Sequence, residues 1–212
     1  MGSPGQISDV ERATFPERIA IASRNAHKLR EIGRICADWP VTWLTVDDHD
    51  GPWPNVEEPH ETYLENALAK AREVALALGV PALADDSGIE VDALGGAPGP
   101  RAARYGGEGA TDAMNLAALL EALRGVPAER RTARYRCVAV LAWPDGRDAR
   151  AEGTCEGVIA SSPRGSGGFG YDPAFVPDGE ARTMAELSDA EKDRISHRGR
   201  AFRALQSHLV GG

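Results

Sequence analysis

The longest regular pattern in the sequence is a pair of strand-like segments separated by a tight turn. Residues 132–143 and 147–161 flank Pro144-Asp145-Gly146, and two such runs around a Pro/Gly turn predict a long β-hairpin. Earlier in the chain, short strand-like runs alternate with amphipathic helical segments, which is typical of βαβ units. A chain with both patterns predicts an α/β fold with a mixed β-sheet and helices on its faces.

The other elements follow from periodicity and capping signals. Strands are predicted at residues 18–23, 41–46 and 89–94, and helices from about 26 to 38, at 111–124 and from about 200 to 210. Thr62 and Glu65 have capping-box spacing and precede an apolar repeat that Gly79 ends. Ser188 and Glu191 open another helix toward residue 195 in the same way. The Gly- and Pro-rich segment 162–178 predicts a loop.

Bulk composition limits the functional classes. The chain has 212 residues and a net charge of −8, which suits one large domain and provides no overall basic field for a nucleic-acid polymer. The three cysteines (Cys36, Cys137, Cys155) are widely spaced, which disfavours a disulfide framework or zinc site and favours a reducing cytoplasm. We expect no membrane span and no signal peptide, because neither a long apolar run nor a basic-then-apolar N-terminus is present.

The segment with the clearest chemical signal contains two adjacent acids. The apolar run 80–84 leads into Asp85-Asp86 and then Ser87-Gly88, which we interpret as a buried strand followed by a turn. Carboxylates at the carboxyl end of a strand lie where open α/β sheets bind ligands, and they suit Mg²⁺ together with substrate phosphates. Paired acids beside Gly are also ordinary turn residues, so this motif alone leaves both interpretations open.

Two further groups of polar residues precede this motif. Ser23-Arg24-Asn25 and Lys28 lie at a predicted strand-to-helix junction, where backbone N–H groups favour phosphate and a lysine adds a point charge. The alternative is a helix cap with a surface lysine. Glu57 and Glu58 lie in a loop and are either solvated or functional, whereas Asn66 and Lys70 share one helix face at i,i+4 spacing.

Two groups of aromatic and polar residues follow the Asp85-Asp86 motif in the sequence. Phe169 and Tyr171, among glycines in Gly167–Pro173, predict a stacking surface for a flat ring; the alternative is a turn with core aromatics. Lys192 and Ser196-His197-Arg198 supply hydrogen-bond donors at a predicted helix end, where the alternative role is to complement the helix dipole.

Together these segments resemble the inosine/xanthosine triphosphate pyrophosphatase family, whose members hydrolyse deaminated purine nucleoside triphosphates. The resemblance covers nearly everything from Ile19 to about Leu209, and its most specific stretches are ADDSGIEVDALGGAPG and GGFGYDP. It implies an elongated mixed β-sheet with flanking helices, in two lobes around a central active-site cleft, and a homodimer. We therefore expect a single two-lobed domain over residues 18–212. The polar, Gly- and Pro-containing composition of residues 1–17 predicts a flexible N-terminal extension.

The resemblance also implies residue roles. The magnesium-associated acids are Glu58 and Asp86, and Asp86 is also the presumed base. Further catalytic positions are Asp85 and Lys70. The implied substrate-binding residues are the phosphate loop Ser23, Arg24, Asn25 and Lys28, the substrate contact Ser87, the base and sugar pocket Phe169, Gly170, Tyr171 and Asp172, and the purine-reading donors Lys192, His197 and Arg198. Arg24 replaces a family glycine, so it either caps the triphosphate or alters the loop.

The expected reaction converts a nucleoside triphosphate and water into the monophosphate and pyrophosphate, with Mg²⁺ as cofactor. The 6-keto group of inosine or xanthine accepts hydrogen bonds, so donors would favour it over the 6-amino group of adenine. Two alternatives stay open: a related pyrophosphatase acting on modified pyrimidine or other abnormal nucleotides, and a non-catalytic nucleotide-binding module. The acids and Lys70 argue against the second, because a binding module needs no base.

Overall fold

The centre of the fold is a six-stranded β-sheet with the order β2-β1-β3-β4-β5-β6. The computed structural model describes residues 15–210. Strand β1 is parallel to both β2 and β3, and all other neighbours are antiparallel. The predicted mixed sheet is confirmed. The strands are β1 Arg18–Ile21, β2 Thr42–Leu44, β3 Ala82–Val91, β4 Thr132–Ala142, β5 Asp148–Ile159 and β6 Phe175–Pro177.

Five α-helices occur among the described residues, and capping residues fix their ends. The helices are α1 Ala26–Ile35, α2 Tyr63–Leu78, α3 Asp112–Ala122, α4 Asp189–Ile195 and α5 His197–Val210. As predicted, the Thr62 side chain caps α2 and Gly79 ends it in the left-handed region at φ 66°. Ser188 and Glu191 form the predicted capping box of α4. Helix α5 begins three residues before its predicted start.

The predicted hairpin is confirmed as β4 and β5, which pair from Thr132↔Val158 to Ala142↔Asp148. The expectation for the preceding acidic segment was wrong. Asp85 and Asp86 do not end a strand, and Ser87-Gly88 is not a turn, because β3 continues through all four residues opposite β4. Of the strand predicted at 89–94, only residues 89–91 are strand, as the end of β3, and Asp92–Leu94 form a 3₁₀ helix instead. A short strand, β6, also lies within the segment predicted as loop.

Gly88 has a packing role that the sequence did not indicate. A Cβ at this position would clash with the backbone carbonyl of Gly99 and lie 2.9 Å from the hydroxyl of Tyr63. The glycine therefore permits close approach of the 3₁₀ helix Gly99–Arg104 to the middle of β3.

Helices cover both faces of the sheet at one end. Helix α2 packs on one face of β1, β3 and β4, where Ala67, Ala71 and Val74 are buried. Helices α1 and α5 pack on the opposite face through Ile32, Phe202 and other apolar residues. A third cluster lies at the other end of the sheet, around the second half of β3 and helix α3. The two ends meet in the middle of β3, where the two aspartates lie.

The predicted extension over residues 1–17 falls mostly outside the described range and stays a prediction, as does the domain boundary. Within residues 15–210, no helix combines the length and apolar character needed to cross a membrane.

We predict that Gly153→Ala destabilises the protein by about 1–3 kcal/mol, as overpacking in well-packed regions does. A Cβ on Gly153 would lie 2.5 Å from the backbone nitrogen of Ala201 and would overlap the carbonyl of His197, both in α5. Equilibrium urea unfolding measures the effect. The matched control is Gly33→Ala in α1, where no atom lies within 4 Å of the added Cβ; it should stabilise by about 0.4–1 kcal/mol. Equal unfolding midpoints for the two variants would contradict the proposed packing constraint.

Candidate active site

A cleft of about 340 Å³ opens where the two ends of the sheet meet. Its walls come from the β1–α1 loop, the segment before α2, the middle of β3, the Gly99–Arg104 helix and the start of α5. Fifteen of the sixteen residues expected from the sequence line it: Ser23, Arg24, Asn25, Lys28, Glu58, Lys70, Asp86, Ser87, Phe169, Gly170, Tyr171, Asp172, Lys192, His197 and Arg198. Asp85 is the exception.

Asp85 and Asp86 point to opposite faces of the sheet, because successive side chains of a strand alternate. The alternation is visible in their neighbours: Leu83 belongs to the core under α1 and α5, whereas Ala82 and Ala84 belong to the core under α2. Asp85 therefore faces α5, and Asp86 faces α2. Two adjacent acids thus serve two separate clusters of charged residues.

The Asp86 cluster is built by α2 and the loop before it. Lys70 Nζ lies 3.3 Å from Asp86 Oδ1 and 3.2 Å from Glu58 Oε1. Asn66 donates from Nδ2 to Asp86 Oδ2 at 3.2 Å and to the carbonyl of His60. The i,i+4 spacing of Asn66 and Lys70 brings both to the same carboxylate, and Asn66 also fixes the loop that carries Glu58.

The two carboxylates of this cluster do not ionise equally. Burial raises the pKa of Asp86. The positive charges of Lys70 and Lys28 lower this pKa, whereas the negative charge of Glu58 raises it, and the result is a pKa of about 6. Burial also opposes ionisation of Glu58, but Lys70 and Lys28 hold its pKa below 4.5. The pKa values of the two carboxylates are therefore shifted in opposite directions.

This pair of acids fits a divalent ion delivered with a phosphate substrate. One ammonium group, from Lys70, serves both carboxylates, so a further cation would relieve the repulsion that raises the pKa of Asp86. No group of three or more His, Cys, Asp or Glu side chains that could hold a metal occurs within residues 15–210. Mg²⁺ commonly takes only one or two carboxylates and completes its shell with water and substrate phosphates.

The Asp85 cluster lies on the other face, where Asp85 and Arg198 are almost completely buried. Arg198 donates from Nη2 to Asp85 Oδ2 at 3.1 Å and to Ser87 Oγ at 2.9 Å. Lys28 Nζ lies 3.2 Å from the same carboxylate oxygen. Although burial opposes ionisation, Arg198, Lys28 and Lys70 hold the pKa of Asp85 far below its usual range. Asp85 is therefore a permanent anion that connects the β1–α1 loop with α5.

Glu31 extends this network and was missed by the sequence analysis. It lies on the buried side of α1, where it accepts from Lys192 Nζ at 2.6 Å and also pairs with Arg198. Lys192 in turn pairs with Asp172. The available signal was a glutamate one helical turn after Lys28, beside Ile32 on the apolar face of α1. Its lysine and arginine partners are more than 160 positions away, so no local pattern could identify them.

The donors expected to read the base are consequently held in place by acids. The Nε, Nη1 and Nη2 groups of Arg198 all have protein partners. His197 stacks on Tyr135 with ring centroids 4.5 Å apart, and its Nδ1 atom has no hydrogen-bond partner among the described residues. Burial, with the charges of Arg198 and Lys192, keeps the pKa of His197 well below its usual value, so the imidazole is neutral.

Phe169 and Tyr171 take different roles. Phe169 lines the cleft half-buried, with Lys192 Nζ 5.0 Å and Arg198 Cζ 5.7 Å from its ring centroid, and His27 stacks on it at 5.1 Å. Tyr171 is 5% exposed and donates its hydroxyl to the Ala102 carbonyl, so its ring belongs to the core. Asp172 accepts from Phe169 N at 2.8 Å and holds this segment against Lys192.

The β1–α1 loop is shaped by its own side chains. Asn25 caps α1 by accepting from His27 N and Lys28 N. Arg24 turns to the segment before α2 and donates from Nη2 to the Trp53 carbonyl at 2.8 Å. Cleft residues that the sequence analysis missed include Trp53, Arg104 and Asp112. Asp112, the first residue of α3, carried no separate signal, and neither did Arg104.

The α/β architecture of this chain is shared with solved proteins. The chain superposes on a HAM1 protein from Coxiella burnetii with a TM-score of 0.82 at 40% identity, covering 92% of this chain and 99% of that one. The Ham1 protein of Staphylococcus aureus gives a TM-score of 0.79 at 39% identity, covering 92% and 98%.

Sequence comparison gives the same result. The model of the Ham1 family matches residues 19–208. A relative from Geobacter sulfurreducens, named dITP/XTP pyrophosphatase, is 50% identical over 192 residues, covering 91% of this chain and 96% of the relative. The chain belongs to the Ham1 family.

We predict that Glu31→Gln destabilises the protein by about 3–5 kcal/mol at pH 7, as removing one partner of a buried ion pair does. Burial opposes ionisation of Glu31, but Arg198 and Lys192 keep its pKa below 4.5. A lowered carboxyl pKa stabilises the folded state above the unfolded pKa, and this stabilisation is lost as pH falls through the folded pKa. The difference from wild type should therefore shrink below about pH 4.5.

Denaturant unfolding across a pH series measures this difference. Glu73→Gln is the control, because Glu73 is exposed on α2, and it should change stability by less than about 0.5 kcal/mol. A Glu31→Gln variant as stable as Glu73→Gln at pH 7 would refute the structural importance of the Glu31 network.

Proposed function

We propose that this protein hydrolyses deaminated purine nucleoside triphosphates, such as ITP, dITP and XTP, to the monophosphate and pyrophosphate. The observation that carries the proposal is the joining of two functional surfaces in one cleft: the Glu58–Asp86–Lys70 cluster and the Phe169 ring with its fixed donors. The name dITP/XTP pyrophosphatase, carried by relatives such as that from Geobacter sulfurreducens, supports the substrate class.

In this proposal Asp86 and Glu58 hold Mg²⁺, and Asp86 accepts the proton of the attacking water. The chemistry supplied by a bound Mg²⁺ is neutralisation of phosphate charge and orientation of the reacting phosphoryl group. Lys70 holds the two carboxylates together, with its Nζ 3.2 Å from Glu58 Oε1 and 3.3 Å from Asp86 Oδ1. Ser23, Asn25 and Lys28 present the phosphate-binding loop at the start of α1, where backbone N–H groups favour an anion.

Asp85, which the resemblance placed among the catalytic positions, receives a positioning role. Its carboxylate does not line the cleft, and it holds Lys28 on the phosphate side and Arg198 on the base side. A permanently ionised, ion-paired acid is a poor proton acceptor. Asp85 would therefore fix the distance between the two halves of the substrate site.

Base selection would rest on stacking and fixed donors. Phe169 supplies the stacking surface, and Lys192, His197 and Arg198 surround the same region of the cleft. Because Glu31, Asp85 and Asp172 hold Lys192 and Arg198 in place, these donors are preorganised toward an acceptor such as a 6-keto group. An amino group in that position would leave a buried donor unpaired, which is how polar sites reject the wrong substrate.

The test is a substrate panel with both products identified. ITP, dITP and XTP should release pyrophosphate with Mg²⁺ present, at kcat/KM values far above those for ATP. Release of phosphate instead of pyrophosphate, or higher kcat/KM for modified pyrimidine nucleotides, would contradict the proposal. Binding without turnover would indicate a nucleotide-binding module. A homodimer and a cytoplasmic location, which the sequence also suggested, stay predictions.

We predict that Asp86→Asn lowers kcat by about 10²–10⁴-fold or more, because general-base loss alone has that effect. The amide keeps the shape and the hydrogen bond with Asn66 or Lys70, so circular dichroism and the unfolding transition should show a folded protein. Asp148→Asn is a matched control, since Asp148 pairs with Arg72 and Arg150 outside the cleft. Near-normal turnover by folded Asp86→Asn would exclude the assigned role.

We predict that Phe169→Ala raises KM for ITP while kcat changes less. Base stacking contributes roughly 1–3 kcal/mol, and a ring that contacts the base supports binding of the ground state and transition state alike. Steady-state kinetics separate the two constants, and Phe169→Tyr should retain most of the wild-type KM. A loss confined to kcat would instead assign Phe169 to the catalytic geometry.

A further inference from the structure

The cleft contains two kinds of cations. Six cationic side chains line it among the described residues: Arg24, Lys28, Lys70, Arg104, Lys192 and Arg198. Four of them pair with acids at short distance, such as Lys28 with Asp85 at 3.2 Å and Lys192 with Glu31 at 2.6 Å. Their charge is already balanced before any substrate arrives. They can orient a substrate, but they offer little net positive charge to a polyphosphate.

Arg24 and Arg104 differ from the other four. Within residues 15–210, neither has a carboxylate oxygen within 4 Å of its guanidinium nitrogens, whereas each of the other four does. Both side chains are exposed in the cleft. These two arginines therefore carry the uncompensated positive charge of the cleft.

Both arginines hold the same loop through its backbone. Arg24 Nη2 donates to the Trp53 carbonyl at 2.8 Å, and Arg104 Nη2 donates to the Glu58 carbonyl at 3.2 Å. A carbonyl accepts a hydrogen bond without neutralising the charge. Because a guanidinium has five N–H donors in a fixed planar arrangement, it can hold a carbonyl and a phosphate oxygen at the same time.

We propose that Arg104 is a substrate-binding residue that contacts the phosphates released as pyrophosphate, and that it thereby ties the Glu58 loop to them. The proposal rests on the proposed function. Arg104 is held at the main chain of Glu58, the residue whose carboxylate shares the Lys70 ammonium group with Asp86. Arg24, attached five residues earlier in the same loop, would support it from the β1–α1 side.

The test measures two product ligands separately by isothermal titration calorimetry with Mg²⁺ present: pyrophosphate and inosine monophosphate. Arg104→Met should weaken pyrophosphate binding by about tenfold or more, since hydrogen bonds to charged groups have that strength. Its dissociation constant for inosine monophosphate should stay within about twofold of wild type. Arg104→Lys should recover part of the lost pyrophosphate affinity, because the charge remains but the planar fork is lost.

Arg101→Met is the matched control. Arg101 lies one turn earlier in the same 3₁₀ helix, outside the cleft lining, with a 72% exposed side chain and only a 3.9 Å contact to Glu61. It should bind both ligands as wild type does. Unchanged pyrophosphate affinity in Arg104→Met would overturn the proposal. Equal weakening of both ligands would also overturn it, because that pattern indicates loss of the loop structure.

These outcomes separate the inference from the proposed function. A wild-type protein that binds neither product and hydrolyses no deaminated nucleotide would refute the proposed function itself. A wild-type protein that hydrolyses ITP, beside an Arg104→Met variant with wild-type pyrophosphate affinity, would refute only the role of Arg104.

Discussion

The alternation of side chains along β3 is the constraint on which the site depends. Asp85 and Asp86 are adjacent in sequence, but the pleat directs one to the α5 face and the other to the α2 face. Asp85 therefore pairs with Arg198 and Lys28, whereas Asp86 pairs with Lys70. A slip of one residue in the pairing of β3 with β4 would exchange the two faces. The apolar residues buried on each face oppose such a slip and specify the register from Ala82↔Ala142 to Val91↔Ala133.

The charges behind the cleft form one continuous chain of opposite signs. It runs from Asp172 through Lys192, Glu31 and Arg198 to Asp85 and ends at Lys28. Buried ion pairs contribute little net stability, because desolvation offsets their attraction. Their value here lies in geometry: Lys192 and Arg198 are each paired with two acids, so neither side chain can rotate freely. The fold thus accepts an energetic cost in the interior and obtains a fixed array of donors at the substrate surface.

Local signals in the sequence were sufficient for the helices and the hairpin. Thr62, Ser188 and Gly79 act within one turn of their own positions, so capping rules identified them. The turn expected at Ser87-Gly88 was wrong because the reason for Gly88 is the approach of Gly99, which lies in another element. Most expected site residues do line the cleft, but Glu31 was missed. Its role depends on Lys192 and Arg198, and only the assembled fold brings these three together.

The same chain of charges links the proposed recognition of the base to the proposed binding of phosphate. Arg198 contacts Ser87 and Asp85 in the middle of β3, and Lys28 reaches the same Asp85 oxygen from the phosphate loop. A base that displaced Arg198 would therefore disturb a buried carboxylate that also positions Lys28. Asp85 has no exposed surface through which water could compensate. A purine that fits poorly would therefore lose binding free energy twice, once through its own contacts and again through the disturbed phosphate loop. Such coupling would increase the discrimination between purine bases.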